Sequence, residues 1–325
     1  MVATKNLVSF TDLAPASNDI LSEVLEGLAR SPKTLPCKYF YDEQGSDLFQ
    51  KICALPEYYP TRTEIRLLHD CAAEIASHVG AKCRLIEYGT GSSEKMRIVL
   101  NALDQPMNFI AVDISGEHLR QVTESLAQDL PDIKVHAICA DFTKSFALPK
   151  ASDAGAGKAV AFFPGSSIGN FDHVQAIGFL SNLARTIGSG GGLVIGVDLK
   201  KDKKTLNEAY DDSAGVTAAF NKNILAHINR ELEGDFNLES FDHLAFYNED
   251  LGRIEMHLVS NRDQSVTIGS QSFIFKQGEK IHTENSYKYH VSEFQELAIK
   301  AGFKPVNVWT DSAQLFSVHY FEVAP

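Results

Sequence analysis

Between residues 64 and 198 the apolar positions follow two alternating rhythms, short continuous runs and stripes spaced by three and four residues. Arg84-Leu-Ile-Glu87, Asn108-Phe-Ile-Ala-Val112, Lys134 to Cys139, Ala159 to Phe163 and Leu193 to Val197 are runs of the length and character of buried strands. The stripes trace helix faces: Ile65, Leu68, Ala72, Ile75 and Val79; Met96, Val99, Leu100 and Leu103; Leu119, Val122, Leu126 and Leu130; Ile177, Leu180, Leu183 and Ile187. Thr61 and Glu64 have capping-box spacing and predict that the first helix begins there. Ser115 stands where it can cap the third. Strand and helix in alternation predict an α/β fold, a parallel sheet wrapped on both faces, with ligands at the C-terminal ends of its strands.

Beyond Asp198 the rhythm changes. A helical stretch carrying Val216, Phe220, Ile224 and Ile228 precedes alternating segments at Arg253 to Ser260 and Ser265 to Phe275, which predict a second, α+β module. Ser292 can then cap a helix with Phe294, Leu297 and Ala298 inward and Gly302 at its end. Val306 to Trp309 and Phe316 to Val323 read as strands returning to the first sheet. The polar stretch Ala151 to Lys158 reads as a surface loop, and no internal repeat is visible.

Charge narrows the partners. Forty-two acidic against thirty basic residues give a net charge of −12, with no Lys/Arg run to track phosphates, so no nucleic-acid partner is expected. No segment approaches the roughly 18 apolar residues of a membrane span, and Met1 to Asp19 lacks the pattern of a leader peptide. A cytoplasmic protein without a membrane partner is expected. The five cysteines, Cys37, Cys53, Cys71, Cys83 and Cys139, are scattered without a C-x-x-C pair, which predicts free, mostly packed thiols, no zinc site and no other metal.

The chemistry sits in the loops. Glu87-Tyr-Gly-Thr-Gly91 lies between the first strand and its helix, where glycines admit a ligand to the backbone and helix N–H groups are free. Taken alone, Gly-x-Gly is a weak dinucleotide signal or a tight turn, and Ser-Glu-Lys95 is not the ending of a phosphate loop. Asp113 ends the second strand, where a carboxylate can accept from both ribose hydroxyls. Asp141 ends the third, and with Phe142 it suits an adenine amine and ring face. The alternative is two solvated loop aspartates. Together the three strand ends point to adenosine without a diphosphate, which favours S-adenosylmethionine over NAD.

Leu35-Pro-Cys-Lys-Tyr-Phe-Tyr-Asp-Glu-Gln-Gly-Ser-Asp-Leu-Phe49 and Leu55-Pro-Glu-Tyr-Tyr-Pro-Thr-Arg-Thr-Glu64 resemble the signature of the L-histidine Nα-methyltransferases of ergothioneine biosynthesis. Tyr88-Gly-Thr-Gly-Ser-Ser-Glu-Lys95, Gly165-Ser-Ser-Ile-Gly-Asn170, Asp198-Leu-Lys-Lys-Asp202, Ala209-Tyr-Asp-Asp212, Phe220-Asn-Lys-Asn-Ile-Leu225 and Arg253-Ile-Glu-Met256 are similar to further family segments. Tyr88, Thr90, Asn285 and Tyr287 depart from the commoner pattern. The resemblance implies a Rossmann-like class I methyltransferase domain, residues 64–198 and 287–325, and a lid domain, residues 1–63 and 199–286, with the site at their seam. It implies S-adenosylmethionine as co-substrate on Gly89, Lys95, Asp113, Asp141 and Phe142. It also implies a substrate carboxylate on Asn170 and Tyr210, the α-nitrogen near Tyr58, and the imidazole on Glu284 and Ser286 beside Met256. A monomeric enzyme acting on L-histidine and its mono- and dimethylated forms, and yielding hercynine, is the expectation.

By residue type alone, Asn170 can donate to a carboxylate or cap the next helix. Tyr58 and Tyr210 read equally as half-buried tyrosines, Glu284 as a solvated strand carboxylate and Lys95 as an exposed helix residue. Methyl transfer needs a neutral amine in line with the sulfonium bond, so positioning dominates, and the amine proton leaves to water or to Tyr58, the catalytic candidate. Tyr41, Phe49 and Tyr58 can tolerate a quaternary ammonium through cation–π attraction. Two rivals remain: methylation of another amine, such as an indolic amino acid, and a catalytically silent nucleotide-binding sensor.

Overall fold

The computed structural model describes residues 7–14, 17–91, 93–144, 146–149 and 157–325; apart from its last two residues, the Ala151 to Lys158 loop lies outside them. Eight strands form one sheet in the order Leu7–Leu13, Lys134–Ala140, Asn108–Asp113, Arg84–Tyr88, Ala159–Phe163, Gly192–Asp198, Phe316–Val323 and Phe303–Thr310. The first six are mutually parallel, and Phe316–Val323 runs against both neighbours. The sheet with its flanking helices is a Rossmann-like α/β fold. From Arg84–Tyr88 the chain steps outward twice and then returns to the other side of that strand at Ala159–Phe163. This reversal opens a crevice beyond the two strand ends, where ligands of doubly wound sheets bind.

The helix read from Ile65 onward begins at Tyr59 and runs to Val79. Its start precedes Thr61 because Pro60 fits the first turn, where the missing N–H has no helical partner to lose. Glu64 does not close a capping box: it is 1% exposed and its carboxylate is engaged elsewhere. The closing helix, Val291–Lys300, likewise starts before Ser292, with the Glu293 carboxylate accepting from His290 N at 2.8 Å.

One face of the sheet buries Leu85, Phe109, Ala111, Val135, Val160, Phe162 and Val194 against Leu68, Ile75, Met96, Val99, Leu119 and Leu126 of three helices. The N-terminal strand was expected with the lid, but it pairs in parallel with Lys134–Ala140. Leu7 and Phe10 pack on this core, Arg120 covers the Phe10 ring at 4.0 Å, and Ser9 Oγ meets His136 Nδ1 at 2.8 Å. Leu7 and Phe10 are thus partly buried against the sheet edge, while Leu13 stays exposed. All five cysteines are free thiols, with Cys71, Cys83 and Cys139 buried.

The chain divides into two compact units: residues 7–14, Pro60–Lys200 and Lys288–Pro325 in one, residues 17–59 and Lys201–Tyr287 in the other. The second unit is built on a sheet ordered Lys33–Thr34, Lys280–Tyr287, Arg253–Ser260 and Phe241–Asn248, with a separate hairpin of Gln264–Ile268 and Gln271–Phe275. The helix Val216–Leu232 packs on this sheet and on the helix Glu43–Cys53. Asp42 caps the latter, accepting from Gly45 N at 2.6 Å, Asn223 Nδ2 at 2.8 Å and Arg230 at 2.5 Å. A side chain at Gly45 would place Cβ 1.6 Å from the Phe40 carbonyl oxygen, so the Tyr41-Asp-Glu-Gln-Gly45 segment needs its glycine for close approach. Among the described residues, no helix is long and apolar enough to cross a membrane.

Candidate active site

The first unit gathers the strand-end residues around the crevice. Gly89 adopts φ +79°, and its N–H donates to the Val112 carbonyl at 2.8 Å, which holds the glycine turn against the neighbouring strand. Asp113 accepts from Ser115 N at 2.8 Å and from Thr90 Oγ1 at 3.2 Å, so the glycine turn and the next helix both fix its carboxylate. His118 Nε2 lies 3.1 Å from the Thr90 carbonyl and 3.0 Å from that of Gly91. Burial raises the Asp113 pKa above its ordinary value, against the lowering effects of Ser115, His118 and Thr90. Asp141 is buried and accepts from Thr143 N at 3.0 Å. Phe142 packs edge-on to Tyr88 and Phe163, with centroids 6.3 and 5.7 Å away. These are not solvated loop aspartates.

Lys95 is not an exposed helix residue. It is 8% exposed, and its ammonium lies 2.5 Å from Glu64 Oε2. Both Glu64 oxygens also accept from Gly165 N, at 3.0 and 2.9 Å. Gly165 is the second residue of the loop after Ala159–Phe163, behind Pro164; Gly165 and Ser166 have φ +80° and +58°, and a 3-10 turn, Ser167–Asn170, places Asn170 at the loop's end. The helix that follows is capped by Asp172, whose carboxylate accepts from Gln175 N at 2.8 Å, so Asn170 does not serve as that cap. Glu87 at the base of the glycine turn is buried; its Oε1 has no hydrogen-bond partner, and burial followed by the Asp113 charge pushes its pKa well up. Sequence reasoning assigned no site role to Glu64 or Glu87; the one available signal was a carboxylate at an apolar-stripe or strand position.

The second unit gathers the other candidates. Glu284 pairs across the sheet with Met256, which is 1% exposed, and Ser286 follows two positions along the same strand. Ser286 Oγ and Tyr210 Oη are 2.8 Å apart, and the Tyr58 ring stands edge-on to Tyr210 at 6.0 Å. Tyr58 and Tyr210 are each 7% exposed, more buried than residue type alone implied. Tyr58 continues into an aromatic group through Phe49, which meets both Tyr41 and Phe220. Burial, and then the neighbouring Tyr210, Cys53, Tyr41 and Glu284, push the Tyr58 pKa well above its ordinary value.

Glu255, His257 and His282 offer metal-type ligand atoms within 4.8 Å of one another. The His257 and His282 rings are stacked, with centroids 4.8 Å apart and planes 25° apart, and Phe246 covers the opposite face of His257. Arg253 engages Glu255 through Nε at 2.9 Å and Nη2 at 2.7 Å. His257 Nε2 also lies 3.1 Å from Glu255 Oε2, so that carboxylate is shared between the imidazole and the guanidinium.

The family described as "Histidine-specific methyltransferase, SAM-dependent" matches residues 20–323. A histidine N-alpha-methyltransferase of Mycolicibacterium smegmatis is 40% identical over 97% of this chain and 98% of its own length. Ergothioneine biosynthesis protein 1 of Neurospora crassa is 30% identical over 86% of this chain and 32% of its own length. Among solved structures, an S-adenosylmethionine-dependent methyltransferase from Clostridium acetobutylicum superposes with a TM-score of 0.47 at 10% identity, covering 80% of this chain and 92% of its own. The chain belongs to the histidine-specific, S-adenosylmethionine-dependent methyltransferase family.

Proposed function

We propose that the protein transfers methyl groups from S-adenosylmethionine to the α-nitrogen of L-histidine three times, giving hercynine in ergothioneine biosynthesis. The observation that carries the reading is the polar set of the second unit, with Tyr210 and Ser286 buried and Glu284 half-buried. Tyr210 and Ser286 are hydrogen-bonded, Glu284 lies one strand repeat away, and Met256 and Tyr58 supply apolar and aromatic walls. A carboxylate and a hydroxyl on one strand face can read the two sides of an imidazole ring. Asn170 and Tyr210 hold the substrate carboxylate, and Met256 packs on the ring.

On the donor side, Gly89 admits the methionine portion, Lys95 meets its carboxylate, Asp113 accepts from the ribose hydroxyls, and Asp141 with Phe142 takes the adenine. Departure of the thioether needs no acid, so the protein's contribution is alignment and exclusion of water. Tyr58 stays a phenol because its pKa is pushed up. In the first two transfers its oxygen accepts from the neutral amine's N–H and orients the lone pair; in the third the tertiary amine has no N–H and is held by packing, and in every round the ammonium proton leaves to water before attack. A tertiary amine intermediate buries more apolar surface than histidine, at about 25 cal/mol per Å², and is retained for the last transfer.

The test is the product. Incubation with excess donor should give a nine-proton trimethylammonium singlet by NMR; a ring-attached methyl, or accumulation of monomethylhistidine, refutes the geometry. Donor placement makes a separate prediction. Asp113→Ala should weaken S-adenosylhomocysteine binding by about 1.5–3 kcal/mol, roughly 10- to 150-fold. Because the Asp113 pKa is raised, wild-type donor affinity should also fall on acidification at a higher pH than an ordinary aspartate would give, as the ionised acceptor is lost. Asp113→Asn should flatten that limb. Calorimetric titration that finds the mutant's affinity unchanged removes Asp113 from the donor site.

A further inference from the structure

Glu64 occupies a position that helix periodicity reserves for an apolar side chain, one turn before Leu68 on the stripe that continues through Cys71 and Ile75 into the core. A carboxylate there is costly unless paired. The strand opposite makes room for it: a side chain at Gly196 would place Cβ 2.0 Å from Glu64 Oε1 and displace the carboxylate, so the glycine leaves the space that the carboxylate fills. The carboxylate is shared between the Lys95 ammonium on one helix and the Gly165 N–H on the loop that ends at Asn170. That loop is pinned a second time, since Ser166 Oγ accepts from Asp198 N at 2.9 Å while Ser166 holds a left-handed conformation unfavourable for a residue with a side chain. A purely structural filler would be served as well or better by an apolar pair.

We infer that Glu64 is a positioning residue for both ligands of the proposed reaction: one carboxylate sets Lys95 for the donor and Gly165 for the loop carrying Asn170. The inference rests on the ligand placement proposed above. Its two arms can be separated by chemistry. Glu64→Gln keeps an oxygen for Gly165 N but loses the charge that holds the ammonium. Glu64→Asp keeps the charge, which the flexible Lys95 can follow, but withdraws it by one methylene from a backbone N–H that cannot follow.

The experiment measures S-adenosylhomocysteine Kd by calorimetry and histidine KM at saturating S-adenosylmethionine for the wild type and both variants, with thermal melts to confirm folding. Glu64→Gln should raise the donor Kd by about tenfold and histidine KM by less than about threefold; Glu64→Asp should show the reverse split. Gly196→Ala, which displaces the carboxylate without removing it, should raise both. Each variant carries its own expectation, so one that does not fold leaves the others to decide. If the wild type binds S-adenosylhomocysteine and turns over histidine while the variants lose both properties in parallel, or lose neither, the positioning role is overturned. A wild type that does neither overturns the reading beneath it.

Discussion

Glu284→Ala should lower kcat/KM for histidine by about 10²- to 10³-fold while leaving the Kd for S-adenosylhomocysteine within about twofold of wild type. The magnitude follows from removing a charge-assisted hydrogen bond worth about 1.5–3 kcal/mol and leaving a buried imidazole N–H without an acceptor. Sites that recognise a substrate through hydrogen bonds reject mispaired groups far more strongly than apolar pockets reject a missing methylene. The Glu284 backbone is fixed by a cross-strand pair with Met256 just after an irregularity at His282, so truncation changes the group presented and not the strand's register. Glu284→Gln, which keeps an acceptor oxygen but not the charge, should fall between wild type and alanine. Equal loss of donor affinity and histidine turnover in Glu284→Ala would point to general destabilisation. Unchanged turnover would remove Glu284 from substrate recognition.

The same residue bears on substrate class. An indolic amino acid presents one ring N–H on a large apolar ring, whereas imidazole presents two polar nitrogens that a carboxylate and a hydroxyl two positions apart can both engage. The buried Tyr210–Ser286 hydrogen bond beside Glu284 makes this corner polar on more than one side, which suits imidazole.

How much of this was legible in the sequence depends on the range of the interaction. Gly89, Asp113, Asp141 and Phe142 follow directly from strand ends, because a parallel sheet delivers consecutive C-terminal ends to one edge whatever the side chains pack against. The strands Arg84–Tyr88 and Arg253–Ser260 carry short apolar runs or alternation and are readable by themselves. Glu64 was misread because its partners lie 31 and 101 residues away, while the local spacing to Thr61 matches a common capping pattern. Lys95 was ambiguous for the same reason, since a helix lysine is normally solvated and only the buried carboxylate opposite makes its burial tolerable. The strand Leu7–Leu13 has apolar residues at 7, 8, 10 and 13 without a clean alternation, so nothing local marks it as a strand or says which sheet it joins.

A last expectation concerns the ion pair that closes the sheet on the same loop. Lys288 Nζ lies 2.8 Å from Asp198 Oδ2, and both side chains are 0% exposed. Removing one partner of such a pair strands a buried charge and costs about 3–5 kcal/mol, whereas removing both charges is often nearly neutral. Lys288→Met should therefore lower the free energy of unfolding by that amount, read as a fall in the urea midpoint with the slope unchanged, and Lys288→Met with Asp198→Asn should recover at least half of the loss. A single mutant that loses less than about 1 kcal/mol, or a double mutant no better than the single, would show that the pair is not coupled as its burial requires. Function should respond before the fold is lost. The Asp198 backbone N–H holds Ser166 in its left-handed conformation, so loosening the end of Gly192–Asp198 should relax the loop that leads to Asn170. Histidine KM in folded Lys288→Met should rise by several-fold more than the donor Kd, because the glycine turn and Asp113 sit on strands across the switch point and keep their own hydrogen bonds.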